Sequence, residues 1–242
     1  MVKVAAAQVR VSKDSDKNFF TIIRYIKKAS QKKVDIVCFP ECALAHSNNK
    51  KTLEKIPIEK YIEKIRKACK ESKIHCIFGT HYYSKGRITN SAFMIDDSGK
   101  ILHRYDKVNL WKREDRKVSR GAGHKAIKTK FGKIGIIICW DIAYPEYVKE
   151  LAKKGAWVIF WPSYIKNYGR ELESYLQIPY VRAFENSCYV VQCDSANKDC
   201  AQYSVICSPS EKIKEIKKGE GLIVAELGRR KIASLRRYYR LV

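Results

Sequence analysis

Apolar residues along this chain switch repeatedly between two spacings. Residues 2–11, VKVAAAQVRV, alternate loosely and predict a strand. Residues 15–31 then place Phe19, Ile22, Ile23 and Ile26 on one helical face. The β-branched run VDIVCF is short and stopped by Pro40, which predicts a buried strand. Helical spacing returns over 59–72, where Tyr61, Ile62, Ile65, Ala68 and Cys69 align.

IHCIFGT predicts the next strand. TNSAFMID and ILHRYDKV flank DSGK, whose residues suit a hairpin turn. A polar loop separates them from KIGIIIC, again a strand, and a helix then starts near Pro145 and is closed by Gly155. AWVIFW follows as a strand. One long helix is expected over 171–187, disturbed at Pro179. CYVVQC, YSVIC and GLIVAEL supply the closing strands. Strands alternating with helices, with hairpins between, predict an α/β fold with mixed sheets. No linker, sequence repeat or low-complexity tract interrupts the pattern, so residues 1–242 are expected to form one domain.

Composition narrows the function. With 242 residues, 45% of them hydrophobic, the chain can bury a sizeable core, which excludes disorder. Its start lacks the apolar block of a signal peptide, and no apolar run reaches a membrane span. A soluble cytoplasmic protein is expected. Nine cysteines, an odd number and scattered, suit reduced thiols better than a disulfide scaffold. Cys193, Cys200 and Cys207 are evenly spaced, but no C-x-x-C pair or histidine cluster accompanies them, so they are expected as small buried hydrophobes and no metal is expected. The net charge of +24 raises nucleic-acid binding. The basic residues are dispersed, however, as Lys-Lys pairs at 27–28, 32–33, 50–51, 153–154 and 217–218 and as Arg229–Lys231. That pattern predicts a solvated surface, with contact to nucleic acid only through non-specific charge.

Chemistry gathers at strand ends. CFPEC puts Glu41 just past one predicted strand, YDKVNLW puts Lys107 past another, and IIICWD puts Cys139 past a third. Functional groups of α/β folds collect at the carboxyl ends of strands. A cysteine, a carboxylate able to take its proton and a cation able to hold developing negative charge together suit attack on an amide or nitrile carbon. The turn after Cys139 also offers unpaired backbone N–H groups. Taken singly, each residue has an ordinary role: packing for the cysteine, solvation for the lysine, capping for the glutamate.

FPE, DKVNL and GIIICWDIAYPE, in that order, resemble the three signatures of the nitrilase superfamily of carbon–nitrogen hydrolases. The likeness extends from VAAAQVRV through GAWVIFWPSY and RAFENSCYVV to GEGLIVAEL. It implies a four-layer α-β-β-α sandwich and association into a dimer or larger homo-oligomer. It also implies Glu41 as general base, Lys107 as stabiliser of the tetrahedral intermediate and Cys139 as nucleophile. Glu114, in NLWKREDRK, matches a second family glutamate that positions substrate and lysine. The backbone N–H of Trp140 matches the oxyanion donor. The chain departs from the family outside these residues: CALAHSNN stands where many members have Gly-Tyr, and Val118 and Arg120 stand where an aromatic and a proline are common.

The resulting expectation is a cofactor-free hydrolase that opens the amide or N-carbamoyl bond of a small molecule through an acyl-Cys139 thioester. Nitrile hydrolysis by the same residues, and a silent basic binding protein of the same fold, are the alternatives. A Cys–His protease is disfavoured because none of the five histidines sits in a protease context. Tyr147, Tyr175 and Tyr180, on the two later helices, are candidates for a self-complementary interface. Cys139 is expected to be the most readily alkylated thiol, with Cys42 its rival.

Overall fold

The computed structural model describes residues 1–112, 114–166, 169 and 171–239. Strand β1 (Val2–Gln8) leads into helix α1 (Ser15–Gln31), strand β2 (Ile36–Cys38), a short helix α2 (Lys50–Lys55) and helix α3 (Ile58–Ser72). Strands β3 (His75–Ser84), β4 (Arg87–Ile95) and β5 (Ile101–Asp106) follow. After a long loop come β6 (Ile127–Thr129), β7 (Gly132–Ile136), α4 (Pro145–Lys153) and β8 (Val158–Pro162). Helices α5 (Glu171–Tyr175) and α6 (Ile178–Glu185) precede β9 (Tyr189–Cys193), β10 (Ser204–Cys207), β11 (Lys212–Ile216), β12 (Gly221–Leu227) and helix α7 (Arg229–Tyr239).

The strands form two six-stranded sheets, ordered β12-β1-β2-β3-β4-β5 and β11-β10-β9-β8-β7-β6. Read from β12 and from β6, both run through one antiparallel, two parallel and two antiparallel pairings. The topology thus repeats although no repeat is visible in the sequence.

Strand alternation builds the layers. Val4, Ala6, Ile36, Cys38 and Ile77 turn inward and meet Ile134, Ile136, Val158, Phe160 and Val191 of the other sheet. Their neighbours Ala5, Val37, Cys76 and Phe78 turn outward under Phe19, Ile22, Ile26, Ile62 and Ile65 of α1 and α3. On the far side Ile159, Trp161 and Val190 lie under Val148 and Leu151 of α4 and Ala183 of α6. The result is the expected four-layer α-β-β-α sandwich. Central strands such as β2 and β8 are buried on both faces, which explains their unbroken apolar runs.

Several boundaries differ from the sequence reading. The helix expected over 171–187 is two helices, α5 and α6. Pro179 does not break a helix; it lies in the first turn of α6, where its missing N–H costs nothing. β7 ends at Ile136, three residues before Cys139. Four elements were not anticipated: α2, β6, β11 and α7. Helix α7 is hard to read because Arg and Lys crowd it and Ile232 is its buried residue. No described helix is long and apolar enough to cross a membrane.

Candidate active site

Glu41 leaves β2 through Phe39 and Pro40, and its N–H donates to the Ser163 carbonyl just past β8 (3.3 Å). The loop is therefore pinned between the two sheets. It also lies directly on β3 at Gly79: a Cβ there would sit 2.6 Å from Cys42 N and 2.7 Å from Glu41 Cα. Lys107 is the first residue past β5, and its N–H donates to the Asn90 carbonyl of β4 at 2.8 Å. Glu114 begins a one-turn 3-10 helix in the loop that follows.

These side chains close a ring. Lys107 Nζ donates to Glu41 Oε1 at 2.9 Å and to Glu114 Oε2 at 3.0 Å. Asn90 Nδ2 donates to Glu41 Oε1 at 2.6 Å and to Glu114 Oε1 at 2.9 Å. Glu114 Oε2 also accepts the Trp111 N–H at 3.0 Å. Lys107 and Glu41 are only 2% and 5% exposed, so these charges depend on one another. Burial alone would lower the Lys107 ammonium, but Glu41, Cys139 and Glu114 raise it well above the ordinary lysine range. Burial likewise works against the Glu114 carboxylate, yet Lys107, the Asn90 amide and the Trp111 N–H hold it below the usual glutamate value.

Cys139 opens a 3-10 turn, Cys139–Ala143, with φ of +43°. A non-glycine residue held in this region is strained and needs support. Its carbonyl receives that support from the Trp161 indole N–H at 2.8 Å and the Tyr175 hydroxyl at 3.2 Å. The Tyr175 ring stacks on Trp140, centroids 5.8 Å apart. Cys139 is half-buried, whereas the other eight cysteines are buried. Burial and the Glu41 charge push its thiol well above the ordinary range, with Lys107 and the Tyr164 backbone opposing; Sγ lies 4.0 Å from the Tyr164 carbonyl. A base is therefore needed to take the thiol proton during attack.

Glu41, Lys107, Glu114, Cys139 and Trp140 all line one cavity of about 1170 Å³. That volume exceeds the roughly 300–1,000 Å³ of common small-ligand sites, so size does not restrict it to the smallest amides. Cys42, His46 and His81 form part of the wall. Cys42 Sγ lies 3.6 Å from His81 Nδ1. Burial lowers His81 to about 3 and also lowers His46, so both line the cavity as neutral rings. Cys193, Cys200 and Cys207 are buried, as expected.

The structure adds residues that the sequence reading missed. Asn90, Trp161 and Tyr175 touch the key groups directly. Asp141 holds the turn by accepting from Ile138 N at 2.9 Å. One signal was available: Thr89, Asn90 and Ser91 are three consecutive polar residues in a strand, and all three are buried. Tyr175, a candidate interface residue from sequence, lines the cavity.

The sequence profile described as Carbon-nitrogen hydrolase matches residues 3–237. The chain belongs to the carbon–nitrogen hydrolase family. Among relatives of this hydrolase is Omega-amidase NIT3 of Saccharomyces cerevisiae, 31% identical over 165 residues, 62% of this chain and 56% of that protein. Omega-amidase NIT2 of Xenopus tropicalis is 26% identical over 97% of this chain and 91% of its own. The crystal structure of yeast Nit3, described as a member of branch 10 of the nitrilase superfamily, superposes with a TM-score of 0.88 at 26% identity, covering 100% of this chain and 95% of that one. The Caenorhabditis elegans NitFhit structure shares the fold, with a TM-score of 0.90 at 23% identity; the match covers 99% of this chain and 64% of that longer one. The hydrolase is a member of the nitrilase superfamily.

Proposed function

We propose that this carbon–nitrogen hydrolase is an amidase acting on a small-molecule amide or N-carbamoyl amine, with Cys139 as nucleophile and Glu41 as base. The supporting observation is one cavity in which the half-buried Cys139 thiol meets the closed Glu41–Lys107–Glu114 cluster. Because the resting thiol is protonated, its proton must leave during attack. Sγ bonds to the carbonyl carbon as Glu41 takes that proton. Lys107 spends two of its three ammonium hydrogens on the glutamates, and the third serves the oxyanion together with the Trp140 N–H. Glu41 then protonates the leaving nitrogen, the C–N bond breaks, and an acyl-Cys139 thioester remains. Glu41 next removes a proton from water, which hydrolyses the thioester and restores the thiol. Glu114 keeps Lys107 charged and in place.

The test is ammonia release from purified protein given a panel of small amides, N-carbamoyl amines and nitriles. Rapid acid quench and peptide mass spectrometry should find the acyl group on Cys139. Turnover without that adduct, or turnover retained by Cys139→Ala, would remove the proposed nucleophile. Nitriles outpacing amides would move the substrate class.

The same reading includes self-association in the cytoplasm. Val181 and Phe184 of α6 are about half exposed, and Phe184 packs on the exposed Tyr239 of α7. An apolar face of this kind suits a second copy. Nine free cysteines suit a reducing compartment. Light scattering at micromolar concentration should report a dimer or larger species, and Phe184→Glu should shift it toward monomer.

A further inference from the structure

We propose that Asn90 is a positioning residue that, with Lys107, commits one oxygen of Glu41 to the Cys139 proton. This rests on Glu41 being the base. The Asn90 amide has two hydrogens, and both are used on carboxylates: Glu41 Oε1 at 2.6 Å and Glu114 Oε1 at 2.9 Å. The orientation of the amide is forced, because its oxygen turned the other way would face two carboxylates. Lys107 donates to the same Oε1 of Glu41, at 2.9 Å. Two donors on Oε1 leave Oε2 as the oxygen open to the thiol.

Lys107 alone does not achieve this. An ammonium is a point charge on a flexible stem, and the terminal torsion of a glutamate is broad. The planar amide adds the missing direction. It also holds both carboxylates while Lys107 turns a hydrogen toward substrate. The backbone contributes as well, since the Asn90 carbonyl accepts the Lys107 N–H at 2.8 Å. One strand residue thus fixes Lys107 and both its partners.

A packing role does not account for the residue. Asn90 is 1% exposed, and its Oδ1 is buried without a hydrogen-bond partner among the described residues. An unmet buried acceptor costs stability, and an apolar residue in this strand would not incur that cost. What the amide brings to this position is its two donors.

The experiment compares Asn90→Ala, Asn90→Ser and Asn90→Asp with Glu41→Gln and wild type. It measures kcat and KM across pH on the best amide of the panel, the rate of Cys139 alkylation by iodoacetamide, and the melting temperature. Asn90→Ala should lower kcat by roughly 10- to 100-fold, as expected for a misplaced reacting group, and change KM much less. The acid limb of its kcat profile should move to higher pH, because Glu114 loses a donor that holds its carboxyl low. Asn90→Ser, able to serve one carboxylate, should fall between Ala and wild type. Asn90→Asp, which has no donors when ionised and sets a third carboxylate against Glu41 and Glu114, should be the weakest. An unchanged kcat and pH profile in Asn90→Ala beside a crippled Glu41→Gln overturns this proposal alone. So does loss of activity that follows melting temperature with no change in profile. Normal turnover and alkylation in Glu41→Gln overturns the base assignment, and this proposal with it.

Discussion

The Tyr105 hydroxyl donates to Asp141 Oδ2 at 2.7 Å and joins the end of β5 to the turn that carries Cys139. The same carboxylate accepts the N–H of Ile138, just before Cys139, and of Asn109, just after Lys107, at 2.9 and 2.8 Å. Asp141 thus ties the Lys107 segment of one sheet to the Cys139 turn of the other. Burial pushes its carboxyl up, while these three donors pull it down without fully offsetting the burial.

Tyr105→Phe removes one tie and keeps the ring. The lost bond to a buried charged acceptor should cost about 1–3 kcal/mol of stability, read from chemical denaturation. If the tie sets the spacing of Lys107 from Cys139, kcat should also fall, with KM nearly unchanged. A destabilised variant with full kcat would confine Tyr105 to folding.

Gly79 carries a second structural dependence. Its missing Cβ is the space in which the Glu41 loop lies, with backbone atoms of Cys42, Glu41 and Pro40 2.6 to 2.7 Å from where it would be. No flexible side chain can yield there, so the loop itself must move. Gly79→Ala should therefore lower kcat at least tenfold, since displacements of about 1 Å at a reacting group cost that much or more. Kinetics and melting of the purified variant check this; wild-type kcat would mean that the loop relaxes without moving Glu41.

The triad should behave as one unit. Cys139→Ala, Glu41→Gln and Lys107→Met should each lower turnover by orders of magnitude, and pairing two should add little to the worse single loss. Steady-state kinetics of the three singles and three doubles decide this. Additive losses would mean that the groups serve separate steps.

The ends at Glu41 and Cys139 were legible because each follows an apolar run within two positions; Lys107 follows the mixed strand ILHRYD and was legible through DKVNL and its place just past that strand. The layers were legible for a related reason: continuous apolar strands require cover on both faces. Asn90 was not legible as a partner, since it lies 49 residues from Glu41 and its role exists only once β4 pairs beside β5. Asp141 and Tyr105 are 36 residues apart, Tyr105 in β5 of one sheet and Asp141 in the turn that follows β7 of the other. Strand β11 was missed although KIKEI alternates; as an edge strand it is largely exposed and rich in lysine, and so looked like surface. Long-range contacts decide such residues, and local periodicity carries no record of them.

Asp194 predicts a pH effect on stability. It accepts the Ile165 N–H at 2.9 Å and the Tyr203 N–H at 3.3 Å, and burial raises its carboxyl from 3.8 to about 7. The folded state therefore holds a proton that the unfolded chain releases above about pH 4. The stabilisation is complete below pH 4 and declines as pH rises to about 7, then levels off. Asp194→Asn cannot titrate, so the decline attributable to this residue should vanish from the dependence of melting temperature on pH between about pH 4 and 7. Its absolute melting temperature is not the readout, because the amide also changes the local bonds. An unchanged slope would assign the pH dependence to other groups.

The last prediction concerns the thiols. Limiting iodoacetamide near neutral pH should label Cys139 first, with activity falling in step. Access decides the order: Cys139 is half-buried and faces the cavity, while the other eight cysteines are buried. Cys42, the rival beside Glu41, is 2% exposed, and burial and the Glu41 charge raise its thiol. Charge decides the rate. Burial and Glu41 keep the Cys139 thiol protonated near pH 7, so labelling should be slower than for an activated thiolate and should climb steeply from pH 7 to 9. Peptide mapping against residual activity at several times and pH values tests both parts. Labelling of Cys139 that is already fast and flat with pH would mean that Lys107 outweighs Glu41 at the sulfur. Cys42 labelled first, with activity intact, would mean that the nucleophile lies elsewhere.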